Sequence, residues 1–244
     1  MYNIKLTLQY DGSAYHGWQI QNNAVTVQQT VCEALKKLTG EEVNLIGCGR
    51  TDAGVHANKY ICNFKTNSRI PPEKYSYALN TGLPEDIVCI DSSEVPDDFH
   101  AKGSAVGKNY IYRILNKRFP DPFFRNRVWH IKDKLDLEAM QKAAECFKGT
   151  HDFAGFASSG LSVKTTVRTI FESKVYKEND IITFDVSGNG FLYNMVRIMA
   201  GTLVYVGLGR IQAEDLPEII NSCDRTRGGI TAPPHGLFLW GVEY

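Results

Sequence analysis

Residues 4–40, IKLTLQYDGSAYHGWQIQNNAVTVQQTVCEALKKLTG, pass from one periodicity to another. Ile4, Leu6, Leu8 and Tyr10 alternate with polar residues, the period of two that sets one face of a strand against a core. Thr26 followed three residues later by Gln29 forms a capping-box pattern, and Val27, Val31, Leu35 and Leu38 then recur on one helical face until Gly40 stops the helix. A strand followed by a helix is therefore predicted. Beyond it, 43–48 and 60–65 read as strands, 72–80 as a short helix with Pro near its start, and 87–91 as another strand.

The same order begins again further on. Tyr110, Tyr112 and Ile114 alternate with Ile111, Arg113 and Leu115 as a strand. Asp136 caps a helix carrying Leu137, Met140, Ala144 and Phe147 that ends at Gly149. Residues 168–176 and 181–187 flank the KEND turn as a hairpin, 192–206 suits a largely buried helix, and 236–243 is a closing strand. Both halves match the split βαββαβ pattern of ferredoxin-like units, without a residue-level repeat. The expected class is α+β, with halves at 1–105 and 106–244.

Equal numbers of basic and acidic residues, 27 each, exclude a uniformly basic nucleic-acid coat. Charged residues at 22% and hydrophobic ones at 43% exclude a disordered chain. The amino terminus lacks the unbroken apolar core of a signal peptide, and the apolar run at 198–208 falls short of the roughly 20 residues of a membrane span. No membrane association is expected. Six cysteines have neither zinc-site nor disulfide-dense spacing and read as small buried hydrophobes in a reducing cytoplasm. The six histidines include no pair at helical metal spacing, so none is assigned catalysis or a metal.

Chemistry concentrates in residues 47–57, GCGRTDAGVHA, where three glycines, an arginine and an acid crowd one loop. As a dinucleotide fingerprint it has Asp52 in place of the third glycine. As a phosphate loop, Gly49 and Gly54 are correctly separated but Val55 and His56 replace the Lys and Ser or Thr. What remains is Asp52 two residues from Arg50 on a glycine-braced turn, a carboxylate able to stay ionised as nucleophile or base, or else an ordinary loop ion pair.

This loop resembles the signature of the tRNA pseudouridine synthase A family, which isomerises uridines on the 3′ side of the anticodon arm. Further matches are Tyr10-Asp11-Gly12 with Gly17-Trp18-Gln19, Phe99-His100-Ala101, Tyr110 with Tyr112, His151-Asp152-Phe153, Val167-Arg168-Thr169, Gly190-Phe191-Leu192 with Met195-Val196-Arg197, and His235-Gly236-Leu237. Lys102 departs from the pattern, since many relatives carry Arg after Phe-His-Ala. The resemblance implies a pseudouridine synthase fold with a central, mostly antiparallel sheet and a cleft between the halves. It implies a cytoplasmic homodimer that grips tRNA and acts on positions 38–40 of the anticodon stem-loop, with no cofactor, metal or small-molecule coenzyme.

The resemblance also implies roles. Asp52 is the catalytic nucleophile, acting on a flipped base by attack at the ribose or the pyrimidine ring. Tyr110 stacks on the target base, where alternation alone would read a core aromatic. Arg197 pairs with the catalytic acid, where a snorkelling arginine would be the plain reading. Arg50 follows the flipped nucleotide. Residues 100–134 carry nine basic and two acidic residues interleaved with Tyr110, Tyr112, Phe119, Phe123, Phe124 and Trp129, which suits a polyanion with exposed bases or else a solvated face. Two other functions fit parts of this pattern: a noncatalytic RNA-binding module, and a related synthase with another RNA substrate.

Overall fold

The computed structural model describes residues 1–160 and 163–244. Their internal contacts group them into two units, Met1–Val106 with Phe238–Tyr244, and Gly107–Leu237.

The first unit follows the predicted order: β1 (Tyr2–Tyr10), α1 (Val27–Thr39), β2 (Ile46–Gly47), β3 (His56–Thr66), α2 (Tyr75–Leu79) and β4 (Ile87–Glu94). β1 lies antiparallel between β3 and β4. The other edge of β3 takes β2, antiparallel at Cys62 and Asn63, and β10 (Leu237–Glu243), parallel with Phe238 opposite His56. Leu6, Leu8, Val27, Val31, Leu35, Phe64, Tyr75 and Leu79 are all but inaccessible to solvent and form the core.

The Thr26 side chain accepts the Gln29 N–H at 3.4 Å, and Gly40 closes α1 at φ +75° with its N–H on the Lys36 carbonyl. Gln29 reaches forward to Glu33 at 2.9 Å instead of back to Thr26, so half of the expected capping box forms. The second face of β1 is buried in part, at Asn3 and Thr7, and Asn3 donates to the Pro96 and Phe99 carbonyls at 2.8 and 3.1 Å. The expected strand at 43–48 shrinks to two residues; the Leu45 carbonyl is taken by the Gln28 side chain.

The second unit contains β5 (Gly107–Asn116), β6 (Trp129–Ile131), α3 (Leu137–Glu145), β7 (Gly149–Asp152), β8 (Val167–Glu178), β9 (Ile181–Gly188), α4 (Met195–Gly207) and α5 (Leu216–Ser222). β9 joins β5 to β8 and β8 joins β7, all antiparallel, while β6 runs parallel to β5. Register places Tyr110, Tyr112 and Ile114 on the same sheet face as Val186, Phe184 and Ile182. Phe184 meets Phe147, just past α3, with ring centroids 6.4 Å apart. Asp136 caps α3 by accepting the Ala139 N–H at 3.0 Å.

Two predicted helix ends move for backbone reasons. α3 stops at Glu145, and Gly149, at φ +103°, opens β7 instead. α4 begins at Met195 because Asn194 sits at φ +62°, outside the right-handed helical region. The cysteines are all free, but only Cys48, Cys62 and Cys89 are buried; Cys32 and Cys146 are half-buried and Cys223 is exposed at the end of α5. Among the described residues no helix is long and apolar enough to cross a membrane.

Candidate functional site

In the first unit, residues 48–55 connect β2 to β3, so a strand follows the glycine-rich loop, as neither nucleotide motif would have it. The Val55 N–H closes a turn on the Asp52 carbonyl at 3.1 Å, with Gly54 at φ +77° in its third position. Asp52 is half-buried and Arg50 is exposed.

The residues around Asp52 are fastened to the segment after β1. Thr51 accepts the Trp18 N–H on its carbonyl at 3.1 Å and meets the Tyr10 hydroxyl through Oγ1 at 2.9 Å. Gly54 donates to the Tyr15 carbonyl at 3.2 Å. Two glycines permit this crossing. A β-carbon on Gly12 would lie 2.0 Å from the Val55 carbonyl oxygen, and one on Gly17, at φ +84°, would lie 2.3 Å from that of Thr51. The segment is held in turn by the Asp11 N–H on the Asp86 carbonyl and by the Tyr15 hydroxyl on the Asp86 carboxylate. On the other side of the loop, Trp18 stacks on Tyr60, with centroids 4.0 Å apart, and Tyr60 donates its hydroxyl to the Gly49 carbonyl.

His56 opens β3 four residues beyond Asp52 and is 2% exposed. Its ring stacks on Phe238, with centroids 4.6 Å apart. Its Nδ1 accepts the Gly12 N–H at 3.0 Å and lies 3.1 Å from Asp11 Oδ1. Sequence reasoning set this histidine aside, because it tested histidines for metal spacing and not for loop bracing.

In the second unit, β5 carries two tyrosines with different fates. Tyr110 is half-buried and meets Phe191 edge-on at 5.1 Å. Tyr112 is fully buried and donates to the Pro233 carbonyl at 2.7 Å. Burial pushes the Tyr112 hydroxyl far above the usual phenol range, against a smaller downward pull from the Arg197 charge. Tyr112 is therefore a core residue and not part of an exposed aromatic surface. Arg197 lies in the first turn of α4 and donates through Nε to the Ala232 carbonyl and through Nη1 to Asn194 Oδ1, both at 2.7 Å. Asn194, in its left-handed conformation, also donates to Ser158 Oγ at 2.9 Å. Thus Asp52 and Arg50 belong to the first unit, and Tyr110 and Arg197 to the second.

Other motif residues serve the scaffold. In Phe99-His100-Ala101, Ala101 is fully buried and donates its N–H to Asn63 Oδ1 at 2.9 Å. In His151-Asp152-Phe153, the imidazole is bonded to the Lys148 carbonyl, Asp152 accepts the Ala154 N–H, and Phe153 is fully buried. Among the described residues no group of three His, Cys, Asp or Glu side chains is placed to hold a metal ion.

The basic tract is uneven. Arg118, Arg125, Arg127, Lys132 and Lys134 are exposed, whereas Lys117 is half-buried and paired with Asp121 at 3.0 Å. The Lys117 hydrogen bond holds the Asp121 carboxyl below its ordinary range. Phe119 and Phe123 stand out at 66% and 89% exposed, and the Arg118 guanidinium lies over the Phe119 ring at 4.9 Å.

The family model described as tRNA pseudouridine synthase matches residues 7–102 and 143–244. Among curated proteins, the chain is 54% identical to the tRNA pseudouridine synthase A of Acetivibrio thermocellus. It is 53% identical to that of Thermoanaerobacter sp. strain X514 and 52% identical to that of Ruminiclostridium cellulolyticum. Each alignment covers 100% of both chains.

The bracing of the loop has a direct test. Gly17→Ala puts a β-carbon 2.3 Å from the Thr51 carbonyl in a backbone conformation that disfavours side chains. It should lower stability by about 2 kcal/mol or more in urea unfolding, whereas Gly40→Ala, which meets no neighbour at a similar φ, should cost only about 1 kcal/mol.

Proposed function

The chain belongs to the tRNA pseudouridine synthase family, and we propose that it converts uridine to pseudouridine at positions 38–40 of the tRNA anticodon stem-loop, with Asp52 as nucleophile. Its reaction class is that of the family, isomerisation of uridine in RNA. The observation that carries the reading is the end-to-end alignment, over the whole of both chains, with proteins each called tRNA pseudouridine synthase A.

The isomerisation breaks the bond from ribose C1′ to uracil N1, turns the base, joins C1′ to C5, and returns the displaced C5 proton to solvent while N1 gains one. A carboxylate can carry the covalent intermediate that spans the turning step, with no electrons entering or leaving. A half-buried acid on a turn fastened at both flanks suits this task, because a nucleophile must hold one direction throughout.

The remaining roles rest on the resemblance, with local support. Tyr110, half-buried and backed by Phe191, offers a flat face for a base that has lost its stacking neighbours. Arg50, exposed beside the acid, is free to move with the nucleotide. Arg197 is a substrate-binding cation in this reading, its guanidinium oriented by Ala232 and Asn194. The exposed arginines and phenylalanines after β5 bind the tRNA backbone and unpaired bases. The working form is a cytoplasmic homodimer.

Asp52→Asn keeps the shape of the side chain and removes its charge, so tritium release from tRNA labelled at uridine C5 should vanish while tRNA binding persists. Turnover by a mutant preparation free of parent enzyme would remove the nucleophile assignment and, if binding alone remained in the parent, favour an RNA-binding module. For the basic tract, Lys117 is a poor probe because Asp121 already holds it. Replacing Arg118, Arg125 and Lys132 with Gln should weaken tRNA binding and flatten the dependence of log affinity on log salt by about one to three units. Thermal stability should barely change. Parental affinity and salt slope would make the tract a solvated face.

A further inference from the structure

We propose that His56 is the positioning residue of the Asp52 turn: with Nδ1 unprotonated it anchors Gly12 under the Val55 carbonyl and so fixes the direction in which Asp52 is presented. The proposal rests on the reading of Asp52 as nucleophile.

A backbone N–H can only donate, so the imidazole must meet Gly12 with a lone pair at Nδ1 and carry its proton on Nε2. The same Nδ1 lies 3.1 Å from Asp11 Oδ1. That oxygen also accepts the Ser13 N–H at 3.0 Å and the Ser13 hydroxyl at 2.6 Å. A proton on Nδ1 would turn the bond to Asp11 and break the one from Gly12. The two bonds exclude each other, and the one to Gly12 reaches the loop.

Gly12 is buried, and its α-carbon faces Val55 so closely that a β-carbon there would lie 2.0 Å from the carbonyl oxygen. Val55 in turn closes the turn on the Asp52 carbonyl. Any shift of Gly12 away from His56 is thus passed through Val55 to Asp52 by packed backbone. With 2% exposure and a face covered by Phe238, His56 acts through these contacts and not on the substrate itself.

His56→Leu and His56→Asn have the same outline and differ in the acceptor, since the Asn Oδ1 stands where Nδ1 was. His56→Leu should lower kcat for uridine isomerisation about tenfold or more with KM for tRNA unchanged, and His56→Asn should recover most of the loss. In the parent labelled with 15N-histidine, the resonance that disappears in His56→Asn should report an Nδ1 without a proton. Equal losses in the two variants, a parental kcat in His56→Leu, or a protonated Nδ1 would overturn the proposal. Should His56→Leu not fold, the parent spectrum and the kcat of His56→Asn decide: a protonated Nδ1 or a tenfold loss overturns it. Asp52→Asn is assayed alongside. Turnover by Asp52→Asn would remove the nucleophile reading, whereas its silence beside a fully active His56→Leu would remove only the role of His56.

Discussion

At Gly12 and Gly17 the chain passes so close to residues 51–55 that no side chain fits between the two backbones. The direction of Asp52 follows from that crossing. Trp18 and Tyr15 supply the backbone partners on either side of the acid, Tyr10 adds a side-chain bond to Thr51, and Asp86, just before β4, holds the crossing segment at Asp11 and Tyr15. Such an arrangement stiffens a loop, usually the mobile part of a domain, by tying it to the segment after β1. An enzyme that holds a covalent intermediate while a base turns needs this stiffness, because a displacement of about 1 Å can cost a hundredfold in rate.

The second unit solves a related problem by strain. Asn194 takes a left-handed conformation that costs about 1 kcal/mol or more for a residue with a side chain, and it starts α4 three residues later than the apolar pattern begins at Leu192. In return its amide bridges Ser158 and Arg197. The guanidinium is held at two points, by Asn194 and the Ala232 carbonyl, so a cation at the head of an apolar helix has fixed direction as well as charge.

How far the sequence alone reached depends on the range of the forces involved. α1 and α3 were legible because their caps and apolar periods lie within a few residues of each other, and the β8–β9 hairpin because Asn179 accepts the positive φ of its turn. α5 was missed although Pro217 lies in its first turn and Leu216, Ile219 and Ile220 recur at helical spacing, a signal hidden by its shortness. β6 and β7, of three and four residues, owe their form to neighbouring strands and carry no period of their own. At the site, the motif around Asp52 was readable as a resemblance, but the reason for Gly12 and Gly17 lies roughly forty residues away in the chain. His56 was invisible for the same cause: nothing local says that its Nδ1 faces Gly12. Alternation could not tell Tyr110 from Tyr112 either, because which of two tyrosines on one strand face stays open depends on what covers the strand's end.

The proposed reaction is one isomerisation at one site in one kind of RNA. Mapping pseudouridines in the tRNA of a strain lacking this gene tests it most directly. The account predicts that pseudouridine disappears from positions 38–40 of the anticodon arm and returns with the parent gene but not with the Asp52→Asn gene. Unchanged pseudouridine at those positions, or its loss at another RNA site instead, would contradict it.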